Sequence, residues 1–307
     1  MAAGTKTRIL LLGASGQLGM QLATHLHGHG DFTALSRAEL DLSDIDAVRA
    51  AVRNAAPQIV INAAAYTAVD KAESAPDIAA LINGVAPAAI ADELVSSGGW
   101  LIHYSTDYVF DGSGTAPWRE TDLPAPLNAY GRSKLEGEEA IAATGAKHII
   151  LRTSWVYAAQ GRNFLHTMLR LGCERGELKI VSDQIGAPTS AEALTQATLA
   201  VLRRLEGNGL AGGGLDSVEI DRLSGVYHLA CAGETSWYGF AEAIFVAFAD
   251  RQKAPRLIPI LTEAYPTPAV RPRNSRLDCG KFTQTFGYAM PNWQAALEIV
   301  VSELKSR

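Results

Sequence analysis

The sequence predicts an α/β fold, a doubly wound parallel sheet with a smaller, interleaved C-terminal lobe. Short, continuous apolar runs such as residues 9–12 alternate with helix-length segments, as parallel strands that are buried on both faces do. The first of these runs ends in a glycine-rich turn over residues 13–19, which leads into a helix. After about residue 156 this alternation gives way to helices separated by shorter, proline-marked segments, which indicates a second lobe.

The elements of the first half follow the rhythm of β-α-β units. We predict strands at 9–12, 31–36, 58–61, 100–105 and 148–152, and helices over about 42–54, over 76–97 and from about 128. In the second half we predict helices at 163–173, 191–205, 236–249 and 292–305, with a strand at 226–230. The glycine-rich stretch 207–214 is interpreted as a surface insertion, because a strand follows it closely.

Composition excludes several classes of protein. The 307 residues are 48% apolar and 19% charged, which is ordinary for a globular enzyme and excludes a disordered or collagen-like chain. The net charge of −5 gives no indication of a nucleic-acid partner. Three widely separated cysteines predict neither a disulfide framework nor a Cys-based zinc site. We expect no membrane span and no signal peptide, and therefore a cytoplasmic protein.

The glycine-rich turn predicts a dinucleotide cofactor. Gly13, Gly16 and Gly19 are spaced three apart, and positions without Cβ let the backbone approach a pyrophosphate at a helix N-terminus. The alternative is a tight strand-to-helix turn without a ligand. With the cofactor interpretation, the chain divides into a dinucleotide-binding domain over 1–157, to which later segments return, and a mainly substrate-binding lobe over 158–307.

The end of the second strand indicates which dinucleotide binds. An acidic residue there would favour NADH by accepting from the ribose hydroxyls, but this chain has Ser36 and Arg37. A hydroxyl and a guanidinium suit a 2′-phosphate, so we expect NADPH, with NADH left open. The alternative for Arg37 is a solvated surface charge. Asp41 and Leu42 are expected to flank the adenine.

A tyrosine and a lysine predict proton chemistry on a carbonyl. Tyr130 and Lys134 are four residues apart, so on a helix both side chains project from one face. A neighbouring ammonium is expected to lower the pKa of the phenol, which then serves as general acid for a carbonyl oxygen that receives a hydride. Thr106 ends the preceding strand, where ligands of doubly wound sheets bind. His103, inside that strand, is interpreted as a satisfied core histidine rather than a base.

Six segments together resemble the extended short-chain dehydrogenase/reductases, and among them the dTDP-4-dehydrorhamnose reductase family. The segments are 62–73, 103–110, 126–131, 152–157, 183–189 and 265–277. The resemblance implies a Rossmann-like fold and NAD(P)H-dependent reduction of the 4-keto group of dTDP-4-dehydro-β-L-rhamnose. It also implies a nucleotide-sugar substrate, with the last two segments in the lobe that determines the substrate.

The resemblance also implies roles for individual residues. Tyr130 would donate the proton, and Lys134 would hold the nicotinamide ribose. The remaining cofactor contacts would be Gly13, Gly16, Gln17, Leu18, Gly19, Ser36, Arg37, Asp41, Leu42, Ala65, Tyr66, Thr67 and Tyr104. The substrate contacts would be Thr106, Asp107, Trp155, Arg271, Asn274 and Ser275. The alternative for the last three is a structural proline-rich loop in which Arg271 pairs with a surface acid.

The resemblance also raises the question of a magnesium site, and the sequence leaves two alternative functions open. Some members of the family hold Mg²⁺ at a dimer interface built from glutamates, and the matching positions here are Gln21, Glu192 and Glu303. Gln21 removes one carboxylate, so we expect no metal and leave monomer and homodimer open. A non-catalytic cofactor-binding subunit, like the methionine adenosyltransferase β subunit, and a nucleotide-sugar epimerase or dehydratase are the alternative functions.

Overall fold

The computed structural model describes residues 7–207 and 217–307. Its strands, in chain order, are β1 (Arg8–Leu12), β2 (Asp31–Leu35), β3 (Ile59–Asn62), β4 (Trp100–Thr106), β5 (Lys147–Thr153), β6 (Val156–Tyr157), β7 (Glu177–Val181), β8 (Ile185–Gly186), β9 (Thr189–Ser190), β10 (Gly225–His228), β11 (Thr235–Ser236) and β12 (Arg256–Ile260). Its helices are α1 (Gln17–Leu26), α2 (Ile45–Ala55), α3 (Val69–Ala72), α4 (Pro76–Ala80), α5 (Ala86–Ser97), α6 (Ala129–Ala143), α7 (Phe164–Glu174), α8 (Ala191–Leu205), α9 (Ser217–Leu223), α10 (Trp237–Ala247), α11 (Gly280–Phe286) and α12 (Trp293–Ser306).

A six-stranded parallel sheet organises the N-terminal part of the chain. Its strand order is β2-β1-β3-β4-β5-β10, and every neighbouring pair is parallel. Strand β2 lies on one side of β1 within the sheet, and β3, β4, β5 and β10 lie on its other side. The strand order therefore reverses between β1 and β3, which is a topological switch point. Ligands of doubly wound sheets bind in the crevice beyond the carboxyl ends of the strands at such a point. The predicted fold class is confirmed.

Alternating side chains of the strands fill two separate cores. Ile9 and Leu11 pack on the face covered by α1 and α8, whereas Leu10 and Leu12 pack on the face covered by α2 and α5. The same alternation recurs in the neighbouring strands, which are buried throughout. Near-continuous apolar sequence is therefore what a sheet covered by helices on both faces requires.

The C-terminal lobe contains a parallel pair of strands that the sequence analysis does not predict. β7 pairs with β12 in register from Glu177 opposite Arg256 to Val181 opposite Ile260, and α7 and α10 pack beside this pair. Helices α9 and α11 were also not predicted. All four are short elements of five to seven residues, and their partners are distant in sequence.

The two lobes are joined by more than one crossing of the chain. After β6 the chain enters the C-terminal lobe, and it then returns as β10, which pairs with β5 at the edge of the main sheet. The predicted insertion 207–214 lies, apart from Gly207, outside the described residues.

One helical stretch has the expected length but is more apolar than we expected. Residues 76–97 contain an 18-residue window of mean hydropathy 1.5, so by length and composition they could cross a membrane. Of that window, 56% is buried within the protein, where α5 packs against α2 and α6. This degree of burial is typical of a core helix in a folded domain. A single helix of this kind is weak evidence for a membrane span.

Candidate active site

The glycine-rich turn is shaped by backbone contacts that side chains would block. Gly13 has φ +84°, and its N–H and that of Ala14 donate to the carbonyl of Leu35, at 2.9 and 3.0 Å. A Cβ on Gly19 would lie 2.0 Å from the Gly13 carbonyl oxygen, so the first turn of α1 can pack on the loop only without a side chain there. The turn presents the N-terminus of α1 to the crevice at the switch point, which fits a dinucleotide pyrophosphate.

A cleft of about 570 Å³ extends from this turn across the carboxyl ends of β1, β3 and β4. It brings together most of the residues that were predicted as contacts. These are Gly13, Gly16, Gln17, Leu18, Arg37, Asp41, Leu42, Ala65, Tyr66, Thr67, Tyr104, Thr106, Asp107, Tyr130, Lys134 and Trp155. The predicted contacts that do not line it are Gly19, Ser36, Arg271, Asn274 and Ser275.

Two of the residues outside the lining belong to the nucleotide end. Gly19 is buried in the first turn of α1, where it lets the helix pack on the loop, and its contact with the cofactor stays a prediction. The backbone N–H of Ser36 donates to Glu39 at 2.8 Å, which closes the turn after β2. Arg37 lines the cleft with a side chain that is 79% exposed and lies 3.5 Å from the Asp41 carboxylate. An exposed guanidinium at this edge remains free to turn towards a phosphate.

The other three predicted contacts that do not line the cleft lie in the loop before α11. Asn274 is buried, and its amide nitrogen donates to the backbone carbonyls of Ser113 and Ala116, so it joins two loops, and its contact with the substrate stays a prediction. Ser275 is buried beside Asp107 and lowers the pKa of that carboxyl. Arg271 pairs with Asp70 at 2.9 Å, as in the structural alternative, while its Nη1 is buried without a partner. The ion pair with Asp70 therefore engages Nη2 of this guanidinium and leaves Nη1 without a partner.

The end of β4 and the first turn of α6 hold the residues that are predicted to take part in the reaction. The Thr106 hydroxyl accepts from the N–H of Tyr108 and donates to the Asp107 carboxylate, both at 3.2 Å. The Asn128 side chain caps α6 by accepting from the Gly131 N–H at 2.8 Å, which sets Tyr130 in the first turn. The Thr106 side chain also lies beside the Tyr130 phenol and lowers its pKa. A hydroxyl pair thus faces the cleft where a ketone oxygen would bind.

The pKa of Tyr130 differs from the prediction. Burial raises it to about 12, the hydrogen bond with Thr106 lowers it, and the nearby Asp107 carboxylate raises it. Lys134 is not among the causes, because its amine is directed to the Tyr104 carbonyl oxygen and to His103, at 2.7 and 3.0 Å. The expected lowering of the phenol pKa by a neighbouring ammonium is therefore wrong for the cofactor-free protein. The phenol is fully protonated at neutral pH.

A buried ion pair joins α6, the helix that carries Tyr130 and Lys134, to β5. Arg152 on β5 donates to Glu138 on α6 through Nε and Nη2, with Nη2 at 2.6 Å, and both side chains are 4% exposed. Ser105 on β4 donates to the same carboxylate. The Arg152 guanidinium lies 5.1 Å from the centre of the Phe110 ring. These contacts fix α6 against the two strands that carry the site.

Trp237 and Arg162 also line the cleft and are absent from the predicted contacts. The Trp237 ring stacks on Trp155 at 3.7 Å between centroids. Trp155 has φ +49°, which is rare outside glycine and is found where a site holds a side chain in place. Arg162 follows a glycine near the Gln17 side chain, and no local pattern distinguishes it from a surface arginine. Both contacts join segments that are distant in sequence.

The positions matched to the magnesium site are engaged in other contacts. Glu192 lies 3.3 Å from His25 and accepts from Gln196, and Glu303 accepts from Gln160 and Arg307. Among residues 7–207 and 217–307, three or more His, Cys, Asp or Glu side chains do not assemble into a possible ligand set.

Asp107 provides a test of the electrostatics of the site. Burial raises its pKa to about 7, and one carboxylate oxygen has no partner. Because the folded pKa exceeds the unfolded value of about 3.9, the folded protein holds the proton more tightly, and stability falls as pH rises from about 4 to about 7. Asp107→Asn removes this loss. We expect urea unfolding at pH 8, relative to pH 5, to favour the variant by about 2 kcal/mol.

The matched control for this experiment is Asp46→Asn, which changes an exposed aspartate in the first turn of α2. Its stability should follow that of the unaltered protein at both pH values. An Asp107→Asn protein whose stability changes with pH just as that of the unaltered protein does would contradict the raised pKa.

The chain matches a known family over nearly its full length. The family model described as RmlD substrate binding domain matches residues 7–306. The chain is 45% identical to a dTDP-4-dehydrorhamnose reductase of Escherichia coli K12, with 96% of this chain and 97% of that protein covered. It is 46% identical to an enzyme of the same name from Burkholderia thailandensis, with 98% and 100% covered.

A solved structure extends the similarity to three dimensions. A dTDP-4-dehydrorhamnose reductase from Bacillus anthracis strain Ames, solved in complex with NADP, is 35% identical and aligns with a TM-score of 0.86. The alignment covers 97% of this chain and 99% of that one.

Proposed function

The chain belongs to the RmlD family of dTDP-4-dehydrorhamnose reductases, and we propose that it uses NADPH to reduce the 4-keto group of dTDP-4-dehydro-β-L-rhamnose, giving dTDP-β-L-rhamnose. The observation that carries the proposal is the convergence of Thr106, Tyr130 and Lys134 on one cleft with the glycine-rich turn. Names and identities of the relatives support the substrate, and the cleft supports the chemistry.

The nucleotide end of the cleft suits NADPH. The α1 N-terminus and the turn at Gly13 would hold the pyrophosphate, and Arg37 would meet the 2′-phosphate. Lys134 would hold the nicotinamide ribose. When bound, NADPH supplies the hydride that the ketone carbon receives.

The residues of this chain bind the ketone and supply its proton. Thr106 and the Tyr130 phenol both hydrogen-bond the ketone oxygen, and Tyr130 Oη gives that oxygen its proton as the alcohol forms. A phenol with a pKa of about 12 is protonated at neutral pH before the reaction. The stacked Trp155 and Trp237 rings form an apolar wall for the sugar at the same end of the cleft. We also assign the unpartnered arm of Arg271 to the diphosphate side of the substrate.

The decisive assay measures NADPH oxidation by the purified protein with dTDP-4-dehydro-β-L-rhamnose. A reductase oxidises one NADPH for each 4-keto group reduced. Tight NADPH binding without oxidation would favour the regulatory-subunit alternative, whereas consumption of the sugar nucleotide without net oxidation would favour an epimerase or dehydratase.

Cofactor preference is tested at Arg37. Because a guanidinium–phosphate contact contributes about 1.5–3 kcal/mol, we expect Arg37→Ala to raise the Kd for NADPH about tenfold or more and to change the Kd for NADH little. Isothermal titration with both cofactors measures the two values, and Arg175→Ala at an exposed helix end is the matched control. Equal losses for both cofactors would remove Arg37 from the phosphate site.

The same proposal assigns the two parts of the chain and the cellular compartment. Residues 1–157 with β10 form the cofactor domain, and 158–307 contribute mainly to the sugar-nucleotide site. The free thiols of Cys173, Cys231 and Cys279 support a reducing compartment, the cytoplasm.

A further inference from the structure

The Trp155 ring lies in a slot that the C-terminal lobe provides. Trp155 stands between β5 and β6, and its carbonyl oxygen accepts from the Thr189 N–H of β9 at 3.2 Å. Its ring stacks on Trp237, the first residue of α10, with 3.7 Å between the ring centroids and 12° between the ring planes. Gly186 of β8 adjoins the same ring, and a Cβ there would lie 2.9 Å from Trp155 Cε2. The ring fits only because position 186 has no side chain.

A short antiparallel ladder joins the two sides of this slot. Strand β8 pairs with β11, and Gly186 lies opposite Thr235. Helix α10 follows β11 directly, and the Ser236 hydroxyl caps it by accepting from the Gly239 N–H at 3.0 Å. The ladder and the cap therefore set the backbone of Trp237 at a fixed place relative to Gly186.

A chain of hydrogen bonds fixes the plane of the Trp237 ring. The indole Nε1–H can only donate, and it donates to Gln184 Oε1 at 3.1 Å. The amide NH₂ of Gln184 therefore faces the other way and donates to Thr262 Oγ1 at 3.2 Å. Because the Thr262 hydroxyl donates its one hydrogen to Asp183 Oδ1, at 2.7 Å, its lone pair is available to Gln184. Only one orientation of the Gln184 amide satisfies this chain.

The far end of the chain is anchored to the segment that follows β12. Asp183 Oδ1 also accepts from the backbone N–H of Thr262, at 2.9 Å. Asp183 Oδ2 lies 3.7 Å from Arg273 Nε, so a cation helps to hold the carboxylate. Gln184 is 5% exposed, so its hydrogen-bond partners come from the protein. Because a buried amide that loses its partners is unfavourable, the chain stabilises a single position of Gln184.

We propose that Gln184 and Trp237 are positioning residues that hold the Trp155 ring, and through it the sugar of the substrate, in the cleft. The inference rests on the proposed function, in which Trp155 contacts the sugar. Trp155 has φ +49°, a backbone conformation that is unfavourable for a residue with a side chain, so its surroundings must stabilise it. The stack with Trp237 does so, and Gln184 keeps the stacking ring in its plane.

The position of the pair predicts an effect on substrate binding rather than on the chemical step. Trp155 and Trp237 line the same cleft as Tyr130, but an indole supplies neither the hydride nor the proton. A ring that contacts the sugar equally before and during the reaction changes KM and leaves kcat unaltered. The cofactor pyrophosphate is expected at the N-terminus of α1, so we expect the Kd for NADPH to change little.

NMR of the indole N–H groups tests the hold on the ring without activity. Each of the five tryptophans gives one signal, and replacing each in turn by phenylalanine assigns them. Gln184→Met removes the acceptor of the Trp237 N–H at similar side-chain length. We expect it to shift both the Trp237 signal and, because the stacked ring moves, the Trp155 signal. The signals that should stay in place are those of Trp100, Trp118 and Trp293.

The matched control is Gln284→Met, the same substitution at an exposed position of α11. It should shift neither the Trp155 nor the Trp237 signal. A Trp155 signal that does not respond to Gln184→Met overturns the proposal. If Gln184→Met fails to fold, Thr262→Val decides in its place, because it removes the hydroxyl that accepts from Gln184 at a half-buried position.

Steady-state kinetics measures the consequence for the substrate. Because one hydrogen bond of this kind contributes modestly, we expect Gln184→Met to raise the KM for the sugar nucleotide about 2–10-fold, with kcat nearly unchanged. Trp237→Phe removes the same N–H and should raise KM by a similar factor. If Gln184 acts through Trp237, Gln184→Met adds no further rise in the Trp237→Phe protein. Independent rises that multiply, or an unchanged KM, overturn the proposal.

The outcomes separate this inference from the proposed function. An unmoved Trp155 signal overturns the inference whether or not the protein reduces the sugar nucleotide. A silent NADPH assay with the expected NMR shifts overturns the reductase function and, with it, the contact of Trp155 with the sugar. The hold of Gln184 and Trp237 on the Trp155 ring would stand in that case.

Discussion

Tyr130→Phe lowers kcat by about 10²–10⁴-fold, the range of general acid–base effects, and leaves the Kd for NADPH nearly unchanged. The substitution removes only the phenolic oxygen, which in the proposed reaction hydrogen-bonds the ketone and gives it a proton. The ring remains to pack edge-on against Tyr108, 5.7 Å away. Loss of rate without loss of cofactor affinity is therefore the expected signature, measured by NADPH oxidation and by titration with NADPH.

The control for this experiment is Tyr108→Phe. Tyr108 lines the same cleft and follows Thr106 by two residues, but the N-terminal helix position and the lysine four residues later belong only to Tyr130. We expect a far smaller loss of kcat for Tyr108→Phe. Near-normal turnover of Tyr130→Phe, or a larger loss at Tyr108, would transfer the acid role to another group.

Glu138→Gln destabilises the protein by about 3–5 kcal/mol, because it leaves the Arg152 guanidinium buried without its countercharge. Both side chains are 4% exposed, and Glu138 also accepts from Ser105. Nη1 of Arg152 already lacks a partner, so the cation has no second carboxylate to turn to. The free energy of unfolding from urea titrations, followed by circular dichroism, measures the loss.

Glu174→Gln is the matched control for the buried pair. Glu174 also pairs with an arginine, Arg170 four residues earlier, but the two side chains are 48% and 61% exposed. An exposed pair of this kind contributes about 0.3–0.5 kcal/mol. Comparable losses for the two variants would show that burial does not amplify the Arg152–Glu138 interaction.

The elements whose signal is local were predictable from the sequence. The apolar run before Gly13, the glycine spacing and the four-residue interval from Tyr130 to Lys134 each depend on neighbours along the chain. They predicted the sheet, the turn and the helix that carries Tyr130 and Lys134, and family resemblance added the expected chemistry of the cleft. The strand pair β7 and β12 was missed because its hydrogen bonds join residues about eighty positions apart.

The electrostatic state of the site could not be predicted in the same way. The spacing of Tyr130 and Lys134 says that their side chains share a face, and from this a lowered phenol pKa was expected. The direction is opposite, because burial raises the pKa of the phenol, while Lys134 is engaged by His103 and the Tyr104 carbonyl from a different element. The role of Trp237 likewise depends on a contact with Trp155 that the fold creates.

The return of the chain to the main sheet as β10 constrains how such a protein can diversify. A lobe whose chain leaves the main sheet after β5 and comes back as β10 to pair with β5 cannot be exchanged by recombination at one junction, because a cut there would remove the edge strand of the sheet. New sugar preferences in this architecture are therefore expected to arise through substitutions at the cleft wall, such as the Trp155–Trp237 pair, rather than by the shuffling of whole modules.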